Sequence, residues 1–418
     1  MPLIRLSIWT FCLICLCGLG LASSSYAAES SHTLHYNRDI RPILSENCFS
    51  CHGPDSAARK AKLRLDSFAE ATAAREKSSR AIVPGKPNDS EAIRRVLDEG
   101  DDIMPPVKSH RTLTAAQKET LRQWVAQGAR YEQHWAFQTI QSPALPKHKK
   151  SDWGNNEIDS FVLTILNREK LKPSLRAAPE TLIRRLSLNL TGLPPDIKDV
   201  EAFAANPTPA AYSTLVEKYL NSPAYGERMA LDWLDLARYA DTYGYQADST
   251  MDMSAWRDWV IRSFNSNLPY DKFLMLQLAG DLLPGATDEQ RMATAFNRLH
   301  RQTNEGGSIE EEFRNEYVCD RVNTFGTAML GLTIGCARCH DHKYDPISQK
   351  DYYAMHSFFN NIDESGLYSY FTRATPTPTL LMWEDSKRKE YKAALTKVNG
   401  LEATLSNRLT SPPANYKE

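Results

Sequence analysis

The 418-residue sequence has almost no net charge, with 50 Lys and Arg against 51 Asp and Glu, and so nothing in its balance favours nucleic acid or an anionic membrane surface as a partner. It has no long apolar run. The stretch from Ile8 to Leu21 is too short for a comfortable membrane span, so no span is expected in the mature chain. No convincing strand alternation occurs, which points away from a sheet-based fold. No Ser-His-Asp order, Gly-rich phosphate loop or dinucleotide fingerprint can be placed, and the chemistries they serve find no support. Cysteine is sparse and badly spaced for a disulfide framework.

What is present begins with an export signal. Met1 to Arg5 form a short basic region, Ile8 to Leu21 an apolar one, and Ser25-Tyr26-Ala27 offers small residues at a cleavage site. Residues 1–27 are therefore expected to be a signal peptide, and the mature chain to be exported to the periplasm or cell-envelope space. Cys12, Cys15 and Cys17 leave with that segment, and no small-residue lipobox precedes them. The cysteines expected to remain are Cys48, Cys51, Cys319, Cys336 and Cys339.

Four of these five form two C-x-x-C-H motifs, Cys48-Phe49-Ser50-Cys51-His52 and Cys336-Ala337-Arg338-Cys339-His340. The spacing sets two thiols one helical turn apart, able to add across the vinyl groups of a haem, with an imidazole next in line for the iron. Outside the cytoplasm paired cysteines usually become disulfides, but a pair followed each time by His suits haem better. Cys319 lies on an apolar helical stripe and reads as a buried structural thiol.

Residues 30–135 have the plan of a small monohaem cytochrome c. Ile40, Ile43 and Leu44 mark a short helix with Pro42 in its first turn, running into the first motif. Val83-Pro84-Gly85-Lys86-Pro87 punctuates a loop-rich middle. Thr114-x-x-Gln117 caps a closing helix with Leu121, Trp124 and Val125 on its apolar face and Gly128 as its stop. Met104, in Asp102-Ile103-Met104-Pro105-Pro106, is the expected second axial ligand, held in an extended stretch; His110 is the alternative. Met/His ligation raises the reduction potential relative to His/His.

Residues 136–152 read as a linker and 153–361 as a larger, mostly α-helical domain. Ile158, Phe161, Val162, Ile165 and Leu166 form one helical face, and Leu182, Ile183, Leu186 and Leu190 another, broken at Leu193-Pro194-Pro195. Ser308-x-x-Glu311 is expected to cap a long helix ending at Gly331, and Ser348-x-x-Asp351 the helix after the second motif. His300 is favoured as that motif's distal ligand, with His356 as the alternative; a five-coordinate iron stays open. Asp232, Asp235, Asp241, Asp248, Asp252 and Asp258 lie among tryptophans and tyrosines. They fit a calcium or carbohydrate site, but fit solvated faces of aromatic-cored helices better. Residues 362–418 read as a loop and a surface or coiled-coil helix, the expected start of a truncated further region.

With these motifs on the page the chain resembles the Planctomycete cytochrome C proteins. The resemblance rests on Arg41 to Asp55, Val83 to Pro87 and Met104-Pro105-Pro106 in the cytochrome part. In the family's following domain of unknown function it rests on Leu190 to Pro195, Trp233 to Asp241 and Cys336 to Lys343. It implies an exported bacterial haem protein with no established substrate. The fold expected is mainly α: a small cytochrome c-like domain followed by a larger helical one.

The function expected is covalent binding of haem c, one or two per chain, and single-electron transfer to a redox protein or respiratory component. Electron transfer is favoured over enzymatic action. Two alternatives are a haem-linked oxidoreductase acting on a small, carbohydrate-like substrate, and a one-haem protein whose Cys336, Cys339, His340 and His342 hold zinc.

Overall fold

A computed structural model describes residues 33–75, 79–147, 153–154, 156–368, 376–382 and 384–410. The expected signal peptide, part of the linker and part of the Thr372 to Thr379 loop lie outside them. The described residues are mainly helical; among them are three isolated β-bridges and no strand. They form two compact units. The first joins the described residues up to Cys48 to Leu63–Phe137; the second joins Phe49–Lys62 to the described residues from Gln138 onward.

In the first unit, helix Arg41–Asn47 has Pro42 in its opening turn, where a missing N–H costs nothing, and it buries Ile43 and Leu44. Helix Ala115–Ala126 has both bonds of the expected capping box: Gln117 N–H donates to Thr114 Oγ1 at 3.2 Å and Thr114 N–H to Gln117 Oε1 at 2.9 Å. Its buried Trp124 packs with Tyr36 and Tyr131, ring centroids 5.9 and 5.2 Å away. Trp124 Nε1 donates to Arg130 O and Tyr131 Oη to Leu65 O, so both polar tips are satisfied inside the core.

Helix Glu91–Leu97, which was not foreseen, explains the Val83 to Pro87 punctuation. Its buried N-cap residue Ser90 accepts from Val83 N–H at 2.8 Å and donates to Lys86 O at 2.9 Å, tying that turn in place.

The second unit has three apolar clusters. Helices Pro179–Thr191, Ile197–Ala205 and Pro209–Leu220 close over Ile183, Phe203, Leu215 and Tyr219. Helices Pro223–Ala237, Ser254–Asn265 and Tyr270–Ala279 enclose Trp233, Trp256, Trp259 and Phe273. Gly226 lets the first two of these approach: a Cβ there would meet Ile261 O and Asn265 Nδ2 at 2.5 Å. Helices Glu310–Leu330 and Gln349–Phe359 contribute to the third cluster, which includes Val318, Cys319, Val322, Ala337 and Tyr352. Cys319 is buried, as its position on an apolar stripe suggested.

Two local expectations fared differently. Ser348 and Asp351 form the capping box foreseen for them. Ser308 does not cap: helix Glu310–Leu330 starts after Ile309 without a side-chain cap, and Glu311 instead pairs with Arg314 at 2.8 Å. The opening turn is held by a distant segment, with Ser365 Oγ donating to Glu310 Oε1 at 2.6 Å. The final helix, Asp385–Thr410, leaves Leu395, Val398, Leu401, Leu405 and Leu409 exposed. No helix among the described residues is long and apolar enough to cross a membrane.

Candidate functional site

The first C-x-x-C-H is built on consecutive helical turns. Helix Arg41–Asn47 ends at Cys48, whose N–H still donates to Leu44 O at 2.8 Å, and Phe49–His52 forms the next turn. Helical geometry sets the two thiols one turn apart. Cys51 is exposed and Cys48 is half-buried. The chain then folds back: Lys60 N–H donates to Cys51 O at 2.8 Å, and Arg59 donates to Pro54 O at 2.6 Å.

Met104 sits in the first unit, half-buried, its N–H donating to Arg95 O at 2.9 Å. The stretch after it departs from one extended run. The Met104–Pro105 peptide is cis, and a single 3-10 turn, Val107–Ser109, follows Pro106. His110, the alternative ligand, is exposed in a left-handed conformation.

The second C-x-x-C-H is built on a 3-10 turn, Gly335–Arg338, with Cys339 as its cap. Ala337 is fully buried in the third apolar cluster, which anchors the turn and leaves the free thiols of Cys336 and Cys339 exposed. Helix Gln349–Phe359 holds the backbone behind them: Gln349 Nε2 and Tyr353 Oη both donate to Arg338 O, at 3.1 and 3.2 Å.

His340 Nδ1 donates to Asp341 O at 2.7 Å, which leaves Nε2 as the ring nitrogen available to a ligand. Asp55, from the segment after the first motif, lies 3.6 Å from the same Nδ1. Ser56 Oγ donates to Asp341 Oδ2 at 3.4 Å, so this segment lies along the far side of the second motif.

Both motifs thus fit a covalently attached haem by donor chemistry. Each offers two closely spaced cysteines, and the second also offers an imidazole whose Nδ1 is held by a carbonyl. The four-ligand zinc set is not assembled: among the described residues no group of three or more His, Cys, Asp and Glu is arranged to hold a metal ion. His342 is buried and its Nδ1 accepts from Asp345 N–H at 2.9 Å.

His300, favoured from the sequence as a distal ligand, is committed elsewhere. Its Nδ1 donates to Arg301 O at 2.8 Å and its Nε2 accepts from Arg321 Nη2 at 2.7 Å. With both ring nitrogens engaged and the ring fully buried, it is part of an internal ion network. Burial pushes its pKa down to about 4, so it is a neutral imidazole at pH 7.

The centre of the network is Glu364, bound by Arg298 Nη1 at 2.5 Å and by Arg321 through two contacts, one at 2.7 Å. Burial alone would raise the Glu364 carboxyl, but the hydrogen bonds from its partners outweigh that and hold it at about 2. Sequence reading missed this group because its hydrogen-bonded pairs are 21 to 66 residues apart. His356 lies 3.0 Å from Asn315 Oδ1 on helix Gln349–Phe359. Of the aromatic residues near the acidic run, Trp233, Trp256 and Trp259 are core residues, while Asp232 and Asp235 face solvent.

A cavity of about 150 Å³ opens beside the second motif. Arg338, the residue between its two cysteines, lines it with Arg301, Glu316, Asp320, Tyr245 and Tyr317, and His300 is part of its wall.

Two cysteine pairs spelled for haem, on a helical scaffold, define a protein of the c-type haem class. The comparisons make this specific: a family model described as Planctomycete cytochrome C matches residues 48–108, and one described as a protein of unknown function (DUF1549) matches 157–364. The chain carries a Planctomycete cytochrome C domain followed by a DUF1549 domain. No curated protein and no solved structure matches it. The first match begins at Cys48 and contains Met104; the second contains the second motif, the cavity and Glu364. The cytochrome C domain implies haem c, and domains of this kind are typically extracytoplasmic.

Proposed function

We propose that the protein is an exported c-type cytochrome that passes single electrons to a redox partner or respiratory component. The observation that carries this reading is the Planctomycete cytochrome C match over a segment that opens with two cysteines and a histidine on adjacent turns. Haem attached there supplies one-electron chemistry without a change in the protein's bonding. Cys48 and Cys51 would anchor it, and His52 and Met104 would hold its iron. Cys336, Cys339 and His340 form a second attachment site. There the Asp341 carbonyl orients the imidazole by accepting a hydrogen bond from its Nδ1–H, and the Ala337 anchor fixes the turn.

The test is the covalent haem count on the full chain, by intact mass and alkaline pyridine spectrum after co-expression with cytochrome c maturation factors. The reading expects two. One haem, lost on changing Cys48 and Cys51, restricts attachment to the first motif, and none sinks the cytochrome reading altogether. A haem-linked oxidoreductase is the second reading, favoured by the cavity that Arg338 lines. It requires a compound that reduces the haem on mixing.

A further inference from the structure

The cavity beside the second motif has an unusual charge arrangement. Glu316 is paired with Arg338, with Nη1 at 3.0 Å, and Asp320 is paired with Arg238. Behind His300, Glu364 is shared by Arg298 and Arg321. Arg301 remains. It forms no ion pair among the described residues, and its guanidinium lies over the Tyr245 ring at 4.6 Å. Five guanidinium groups therefore meet three carboxylates in and around one small cavity. Arg238 feels the excess: burial, then the charges of Arg321 and Arg301, bring its pKa down to about 10. The Nε of Arg238 is buried without a hydrogen-bond partner.

Such a site favours an anion, and the geometry narrows which one. A guanidinium is planar and offers parallel N–H donors, the shape that matches a carboxylate. Glu316 and Asp320 in the wall repel a dianion more strongly than a monoanion, which counts against phosphate and sulfate. The same two carboxylates can accept hydrogen bonds from ligand hydroxyls. A cavity of about 150 Å³ holds a ligand the size of benzene, on the order of six non-hydrogen atoms.

We propose that this cavity binds a small hydroxycarboxylate, with its carboxylate on Arg301 and its hydroxyl toward Glu316 and Asp320. The Tyr245 ring pre-orders Arg301 by holding its guanidinium on one face, which lowers the ordering cost of binding. Arg338 connects the site to the second motif, so a bound ligand is separated from the cysteine turn by that one residue. The proposal rests on the cavity itself and stands whether one haem or two are attached.

The experiment is titration calorimetry on the full, matured chain with sodium lactate and sodium glycerate as probes, against lactamide, propionate, phosphate and sulfate. Lactate or glycerate is expected to bind with a Kd of about 1 mM or tighter, lactamide and propionate at least about tenfold more weakly. Arg301→Gln should weaken lactate by at least about tenfold, and Arg301→Lys should restore part of the loss. Lactamide binding as well as lactate overturns the proposal on the unaltered protein, without relying on any variant to fold. So does phosphate or sulfate binding more tightly than either hydroxycarboxylate, or the absence of any hydroxycarboxylate binding. Unchanged lactate affinity in a folded Arg301→Gln chain, judged by its circular dichroism melt, removes Arg301 from the site and overturns it equally.

Discussion

The two C-x-x-C-H motifs share their spelling but not their construction. The first extends a helix: its geometry follows from Arg41–Asn47 continuing through Cys48 into the next turn, and local backbone bonds suffice. The second sits on a short 3-10 turn that could not hold itself. It borrows its rigidity from a buried Ala337, from the Gln349 and Tyr353 bonds to Arg338 O, and from the Asp55–Ser56 segment along its far side. A local motif survives on local sequence, whereas a borrowed one depends on the domain around it. The second motif should therefore be the more sensitive to distant substitutions, and a polar cavity lies beside it.

The sharpest break between the two comes from deleting their thiols in turn. Cys48→Ala with Cys51→Ala should remove the haem of the first motif completely and leave the second, and Cys336→Ala with Cys339→Ala the reverse. Intact mass decides. If the second pair can be removed without loss of any haem, the motifs differ in chemistry as well as in construction.

The next largest effect tests the borrowed rigidity. Glu364 is buried among Arg298, Arg321 and His300. Glu364→Leu leaves two buried guanidinium groups uncompensated and should cost about 3–5 kcal/mol, read from urea unfolding. It should also lower haem occupancy at the second motif more than at the first. Equal loss at both sites would mean that the two motifs depend alike on this network.

Acid should act through the same group, in a direction set by the shifts. The Glu364 carboxyl is held at about 2 against an ordinary 4.5, so its contribution is present above pH 4.5 and lost as pH falls toward 2. His300 lies at about 4 against 6.5; the unfolded chain takes up its proton first, so stability falls between pH 6.5 and 4. Melting temperature should therefore drop from pH 7 to pH 4, and His300→Gln should flatten that part of the curve. The buried Tyr36 and Tyr131 of the first unit act in the opposite range. Burial raises both phenols, so their contribution is lost only as pH rises above 10.

Sequence reading recovered what is local and periodic. Pro42 in a first turn, the Leu121, Trp124 and Val125 face, and Gly331 as a left-handed stop all follow from rules that look a few residues either way. It could not see the residues joined by tertiary folding. His300 looked like a ligand because its partners, Arg321 and Glu364, are far along the chain. Residues 49–62 were assigned with the first domain by position, yet they pack with the second unit, where Asp55 meets His340. Close helix packing was equally hidden. Gly226→Ala inserts a methyl group against Ile261 O and Asn265 and should cost about 1–3 kcal/mol in a urea melt.

The smallest effects make the same point with the cleanest control, because three capping boxes with the same signature were read from the sequence and two of them form. Thr114→Ala and Ser348→Ala each remove an oxygen that accepts a helix N–H, and each should cost about 1 kcal/mol. Ser308→Ala removes a side chain that caps nothing, because the helix begins at Glu310 with Ser365 bonded to its first turn, and should cost less than about 0.5 kcal/mol. The corresponding loss should appear instead on Ser365→Ala, in the segment that also carries Glu364. A cost at Ser308 equal to that at Thr114 would show that the helix starts where local signals place it, and that the distant segment is not what fixes its first turn.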